Sequence, residues 1–283
     1  MSKRKKRIIN IALISVIIVG ACIVLYPIIS NLIYTRQSQN LITTYKARVN
    51  DLQGSFIEEE WQKAVDYNES LLGHRPATDP FVAGSGMALA GDYMNILNVN
   101  GIMGYLDIPR LNIHLPVYHT TSEPVLKKGV GHLQSTPLPI GMEGVNPILS
   151  AHTGLPSARL FTDLIDMKPG DIFSVRVMDR TMYYKTDDVK VILPSEISSL
   201  VAVPGKDLIT LVTCTPLGIN SHRLVVRGER CYEIADSLTL EQESRAMWWF
   251  ILAGSGLFAA VFTGIIIIMN LQKRKQTTSH ESN

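Results

Sequence analysis

Residues 210–224 read "TLVTCTPLGINSHRL". An apolar run ends in Cys214, a short loop with Pro216, Gly218 and Asn220 follows, and the run resumes behind Arg223. This is the pattern of two strands joined in a hairpin. If Cys214 and Arg223 face each other across it, Cys231 falls opposite Lys206. At about 3.3 Å per residue the two cysteines then lie on the order of 25 Å apart. A disulfide needs Cα atoms within about 7 Å. The register therefore excludes the Cys214–Cys231 bridge that an oxidising exterior would otherwise suggest. Cys214 is expected to be a free thiol, Cys231 a packed small residue, and Cys22 an apolar filler.

A thiol attacks only as thiolate, so a partner must lower its pKa or accept its proton. Arg223 supplies a fixed positive charge that favours the thiolate or donates to an oxyanion. The alternative is an arginine solvated at a strand start. Among the histidines, His222 neighbours Arg223 and so points to the opposite face of a strand. His74 and His114 read as surface or packed residues, His119 as a loop residue, and His132 as a loop-fixing hydrogen-bond partner. His152 ends the apolar stretch "NPILSAH" before a turn, a common position for a site residue. A packed, hydrogen-bonded histidine is the alternative there. No paired-cysteine or His-x-x-x-His spacing points to a metal, and no glycine-rich phosphate loop is present.

Further out, residues 8–33 are almost wholly apolar, and a second apolar run covers about 247–269. Each exceeds or matches the roughly 20 residues that span a bilayer core. The first is longer than a signal-peptide core and lacks a clear cleavage site, so an uncleaved membrane helix is expected. Lys3, Arg4, Lys5, Lys6 and Arg7 precede the first run, and Lys273, Arg274 and Lys275 follow the second. Both termini are then cytoplasmic and residues of about 36–245 lie outside. With 27 Lys+Arg against 25 Asp+Glu, the net charge of +2 gives no support to a nucleic-acid-binding role.

Residues 36–73 read as a helical stalk or hairpin, with Leu41, Tyr45, Val49, Leu52, Phe56 and Leu71 at roughly helical spacing. Residues 74–100 are rich in Gly and Ala without periodicity; a long irregular segment of this kind is usually functional or disordered. Beyond Met103 the chain is strand-like. Candidate strands are "GYLDIP", "IHLPVY", "NPILSAH", "DIFSVRV", "TMYYKTDDVKVIL", "DLITLVTC" and "HRLVVRGERCYEI". One short helix, "PSARLFTDL", interrupts them, and Asp187-Asp188 reads as a solvated turn. Many short strands at this spacing suggest a mainly β barrel or sandwich.

"TLVTC" followed by Arg223 resembles the TLxTC…R signature of the sortases. The likeness runs on through "GVGHLQSTPLPIG", "HTGLPSARLFTDL" and "KPGD" and covers about 103–233. Asp79-Pro80-Phe81 resembles the lid motif of class C, the pilin-polymerising sortases. The resemblance implies an eight-stranded sortase-type β-barrel with an N-terminal helical region and a lid, flanked by two transmembrane helices. The division is then a basic terminus (1–7), a membrane helix (8–34), an outer helical region (35–73), a lid segment (74–100), the catalytic barrel (101–235), a linker (236–245), a second membrane helix (246–270) and a tail (271–283).

The resemblance also implies a catalytic set of His152, Cys214 and Arg223. Cys214 would attack the Thr–Gly carbonyl of an LPxTG-like sorting signal. His152 would act as general acid and then base, and Arg223 would hold the substrate or oxyanion. A lysine of another pilin would resolve the thioester, without any cofactor. Phe81 would lie over the Cys214 thiol and Asp79 near Arg223. The implied partners are pilin subunits carrying sorting signals and acceptor lysines, at a membrane. Two other readings stand beside this one: a sortase that anchors proteins to peptidoglycan, and a non-catalytic scaffold for pilus assembly. The family often has Gly and Arg around its histidine, where this chain has Ala151 and Thr153. Leu217 stands where class C members often carry an aromatic residue.

Overall fold

The computed structural model describes residues 3–73, 79–82 and 92–232. Helix α1 (Lys3–Asn50) is followed by helix α2 (Gly54–Ser70). The strands are β1 (Gly104–Ile108), β2 (Ile113–His119), β3 (Val130–His132), β4 (Ile148–Ser150), β5 (Ile172–Val177), β6 (Arg180–Ile192), β7 (Leu208–Thr215) and β8 (His222–Arg230). A single turn of helix, α3 (Glu123–Leu126), lies between β2 and β3.

The strands close into a barrel in the order β1-β2-β3-β4-β7-β8-β6-β5, with β1 pairing back onto β5. The β2–β3 and β4–β7 pairs are parallel and the others antiparallel. Its interior holds Leu106, Val117, Phe173, Val175, Tyr184, Leu211 and Val226, all buried. A Cβ added to Gly228 would sit 2.6 Å from the Phe173 ring, so this position in β8 admits only glycine.

β7 is apolar on both faces for a physical reason. Ile209 and Leu211 join the barrel core. Val212, with Val225 of β8, packs in a second cluster with Leu133, Ile148, Ile197 and Leu200 on the outside. A strand covered on both sides reads as a continuous hydrophobic run. The outer cover is a 3₁₀ turn over Pro194–Ser199 and, beside it, Phe81.

The helices pack on the barrel through two buried stripes. Ser38, Ile42, Tyr45 and Val49 line one face of α1, and Ile57, Trp61, Ala64 and Asn68 one face of α2. Tyr45 Oη donates to the Met103 carbonyl (2.9 Å) and accepts from the Met178 amide (2.8 Å). Asn68 brackets Leu138, donating to its carbonyl at 3.0 Å and accepting from its amide at 2.6 Å. The expected helical region is thus two helices broken at 51–53. Leu41 faces outward and Ile42 in on α1, and beyond the break Phe56 faces outward and Ile57 in on α2.

Among the described residues no helix is long and apolar enough to cross a membrane. The span expected over 8–34 forms the first part of α1 and is not established as a membrane helix. The span expected over 246–270 lies outside the described residues. "PSARLFTDL" forms only a 3₁₀ turn at Thr162–Asp166. Asp187-Asp188 is not a turn but a strand irregularity inside β6, where Asp187 pairs with Arg227 at 2.7 Å. β3, missed as a strand, adds an eighth to the seven expected.

Candidate active site

Two ladders build the site. In the β7–β8 hairpin Cys214 stands directly opposite Arg223. In the parallel β4–β7 pair, Ile148 matches Thr210 and Ser150 matches Val212. Two residues further, the same register sets His152 beside Cys214. The strand bonding carries on beyond β4: the Ala151 amide donates to the Val212 carbonyl (3.4 Å), and Thr213 Oγ1 donates to the Ala151 carbonyl (2.8 Å). His152, Cys214 and Arg223 therefore form one row across the outer face of three strands.

The loop after His152 is fixed at both ends. The Phe161 amide donates to the His152 carbonyl (3.1 Å), and the Gly154 amide to Thr162 Oγ1 (3.0 Å). Gly154 has φ +73, and a Cβ there would meet Leu217 Cδ1 at 2.5 Å. The Leu217 loop and the His152 loop thus approach each other here, and the left-handed backbone at Gly154 is what favours glycine.

The segment 79–82 lies over this row. Asp79 Oδ1 accepts from Arg223 Nε (2.9 Å) and Oδ2 from Arg223 Nη2 (2.5 Å), a bidentate pair between buried groups. Arg223 Nη1 donates to the carbonyls of Asn220 and His222, both at 2.9 Å. The Phe81 ring lies 5.8 Å from the His152 ring, centroid to centroid, and the Arg223 guanidinium 5.1 Å from the centre of the Phe81 ring. Phe81 thus sits between the two residues that flank Cys214.

Cys214 is half-buried and free, as is Cys231. Burial pushes the Cys214 thiol up; the Arg223 charge pulls it down, and the Asp79 carboxylate pushes it up again. With the 79–82 segment in place, burial and the Asp79 carboxylate thus favour the protonated thiol against the pull of Arg223.

The other histidines stand apart. His132 is fully buried, its Nδ1 2.8 Å from Tyr93 Oη and its Nε2 2.7 Å from the Pro137 carbonyl. Burial pushes it down to about 3. His119 closes β2 rather than lying in a loop, buried against the Ile96 carbonyl. His114 is half-buried beside Asp107 at 3.2 Å. His222 alternates away from Arg223 in β8 and contacts Ser221. His74 lies outside the described residues.

One residue of the site escaped the sequence. Glu123 of α3 places Oε2 3.2 Å from His152 Nε2. Its only sequence signal is a carboxylate at the start of a Pro-containing helical turn, 29 residues upstream of the histidine. Among the described residues no cluster of His, Cys, Asp and Glu could hold a metal ion.

A thiol flanked by an imidazole and a guanidinium, on strands of a closed β-barrel, is the equipment of a cysteine acyl-transfer enzyme. The sortase-domain family model matches residues 106–231. The chain is 40% identical to sortase C-1 from Streptococcus pneumoniae, covering 68% of this chain and 98% of that one at a TM-score of 0.64. It is 37% identical to sortase C1 of group B Streptococcus pilus island 1, covering 70% and 94% at a TM-score of 0.65. Among curated relatives it is 29% identical to sortase A of Bacillus anthracis, over 47% of this chain and 61% of that one, so it spans under two thirds of that relative. Against Staphylococcus aureus sortase A it is 24% identical over 76% and 89%. The chain belongs to the sortase family of cysteine transpeptidases. Its structural neighbours are sortases C, which supports class C within the family.

Proposed function

We propose that this chain is a pilin-polymerising transpeptidase, with Cys214 as nucleophile, His152 as proton carrier and Arg223 as the charge that holds the reacting carbonyl. The observation that carries this reading is the single row His152–Cys214–Arg223 beneath a segment that ion-pairs with the arginine.

The chemistry follows from the row. The Cys214 proton passes to His152, and Sγ attacks the Thr carbonyl of an LPxTG-like signal. The C–S bond forms, the Thr–Gly C–N bond breaks, and the imidazolium gives its proton to the leaving amine. A neutral lysine amine of a second pilin then attacks the thioester. The C–N bond forms, the C–S bond breaks, and the amine proton returns through His152 to the thiolate. One peptide bond is exchanged for one isopeptide bond, so the reaction needs no cofactor or energy source.

The segment 79–82 acts as a lid. Four of the Arg223 N–H donors are engaged by Asp79, Asn220 and His222, so a substrate carbonyl gains the arginine by displacing Asp79. Removing that carboxylate also removes one of the two influences that favour the protonated thiol. Opening thus couples access to activation.

We also assign the chain to the cell surface, anchored through the apolar part of α1. Val19, Ile23, Val24, Ile28, Ile29, Leu32 and Ile33 are exposed there, and a run of that composition beside five basic residues suits a bilayer with its basic end in the cytoplasm. The second anchor, over 246–270, rests on sequence composition alone.

The test is intact mass on the chain carrying Phe81→Ala, incubated with an LPxTG-type peptide. A thioester adduct that disappears on Cys214→Ala is the expected result. A folded protein with a reactive thiol and no adduct would overturn the proposal. Product linked to peptidoglycan rather than high-mass pilin ladders would redirect it to wall anchoring.

A further inference from the structure

Glu123 begins α3, which is anchored by the buried side chain of Leu126. Its carboxylate bridges two side chains of different elements. Oε1 lies 3.1 Å from Lys127 Nζ one turn on, and Oε2 lies 3.2 Å from His152 Nε2. The Lys127 ammonium, then the His152 contact, hold the Glu123 carboxyl below the usual range and so keep it ionised. The groups facing His152 are Glu123 from α3, the Phe81 ring from the lid segment, and Cys214 and then Arg223 along its row on β7 and β8.

We propose that Glu123 is a positioning residue for His152: it accepts from Nε2–H, fixes that tautomer, and leaves Nδ1 as the nitrogen that carries the proton of acyl transfer. The argument rests on the reading of His152 as proton carrier given above. A neutral imidazole has one donor and one acceptor nitrogen, and the partner of one decides the role of the other. The Lys127 contact restrains the carboxylate itself, as an outer partner restrains a ligand or base. The position also suits the step that makes imidazolium, because an anion already stands beside the ring. Glu123 is 60% exposed, so solvent screens the pair and the effect is a modest one.

The experiment compares the parent chain with Glu123→Ala and Glu123→Gln. Glutamine keeps an acceptor oxygen and loses the charge. The first readout is the ¹⁵N signature of the His152 ring at a pH where an imidazole is neutral. The parent should show the Nε2–H tautomer, Glu123→Ala a mixture, and Glu123→Gln the parent pattern. The second readout is transpeptidation with an LPxTG-type peptide. Glu123→Ala should lower kcat about threefold to tenfold with KM unchanged, and Glu123→Gln should recover most of the loss. An unchanged ring signature in Glu123→Ala would overturn the proposal. So would a rise in KM at constant kcat, which would make Glu123 a substrate contact. The ring signature needs no turnover. If the parent chain forms no product at all, the transpeptidase reading fails while the Glu123–His152 relationship is still decided by the spectrum.

Discussion

Asp79 and Arg223 lie 144 residues apart in sequence and form a two-pronged ion pair at 2.9 and 2.5 Å. The side chains are only 4% and 9% exposed. A buried pair of this kind is expensive to break from one side, because it strands the other charge. Here the stranded charge is the arginine beside the proposed nucleophile. The pair therefore holds the cover down and occupies the guanidinium in one contact.

Loosening this contact should expose the thiol. Asp79→Ala and Phe81→Ala are each expected to raise the rate of Cys214 alkylation by a small thiol reagent, by about tenfold or more at fixed pH, with Cys214→Ala as the blank. An unchanged rate would show that segment 79–82 does not occlude the site.

The two lid variants should differ in pH dependence. Asp79 is one of the groups that push the Cys214 thiol up, after burial itself. In Asp79→Ala the midpoint of the alkylation profile should move to lower pH relative to the parent, because the Arg223 charge then acts without the opposing carboxylate. A midpoint that moves upward would mean that burial deepens when the carboxylate is lost.

Much of this arrangement is legible in sequence because strand registers propagate. The Cys214–Arg223 pairing follows from one hairpin; the apolar run ending in His152 marks that residue only as a candidate, and the resemblance groups it with the other two. Asp79 and Phe81 were reached through resemblance, since an irregular segment has no period to extrapolate. Glu123 was not reached at all. Its contact with His152 depends on how a one-turn helix leans over the sheet, and no local pattern encodes that. β3 was missed because three residues, one of them glycine, carry no alternation. His132 fixes its loop through the Pro137 carbonyl, as its place in the sequence suggests, whereas His119 closes a strand, and nothing local announces the buried ring of Tyr93 between the two, at 5.1 and 5.7 Å.

Asn68 should be a strong point of attachment between α2 and the barrel. Asn68→Ala leaves the Leu138 amide unpaired in a fully buried place, while the Leu138 carbonyl keeps the Ile140 amide at 2.9 Å. A loss of about 1–3 kcal/mol is expected, read as a lower denaturation midpoint. Asn68→Asp, which keeps the acceptor but loses the donor, should lie at or beyond that loss because it also buries a charge.

Stability against pH carries opposing contributions from two buried groups. His132 has its folded pKa pushed down by burial to about 3, against about 6.5 unfolded. Its contribution is present above pH 6.5 and is lost as pH falls toward 3. Asp207 runs the other way. Burial pushes it up to about 6, so its contribution is present below its unfolded value near 3.8 and is lost as pH rises through 6. Between about pH 4 and 6 the two slopes, each up to about 1.4 kcal/mol per pH unit, oppose one another. Asp207→Asn should therefore steepen the fall in stability on acidification across that window, measured by denaturant unfolding at several pH values. Parallel curves for parent and variant would show that Asp207 does not titrate in this range.

The closure of β1 onto β5 has a consequence for recognition and for solubility. An open sheet can take up an extended peptide as an additional strand, by main-chain bonding that is indifferent to most side chains. In this barrel β1 and β5 each have a partner on both sides, so neither serves as such an edge, whereas the part of β6 beyond Thr186 pairs with β8 alone. Closure thus removes the β1–β5 seam as a ladder on which neighbouring copies could nucleate cross-strand aggregates, and confines what is left of the edge to short stretches.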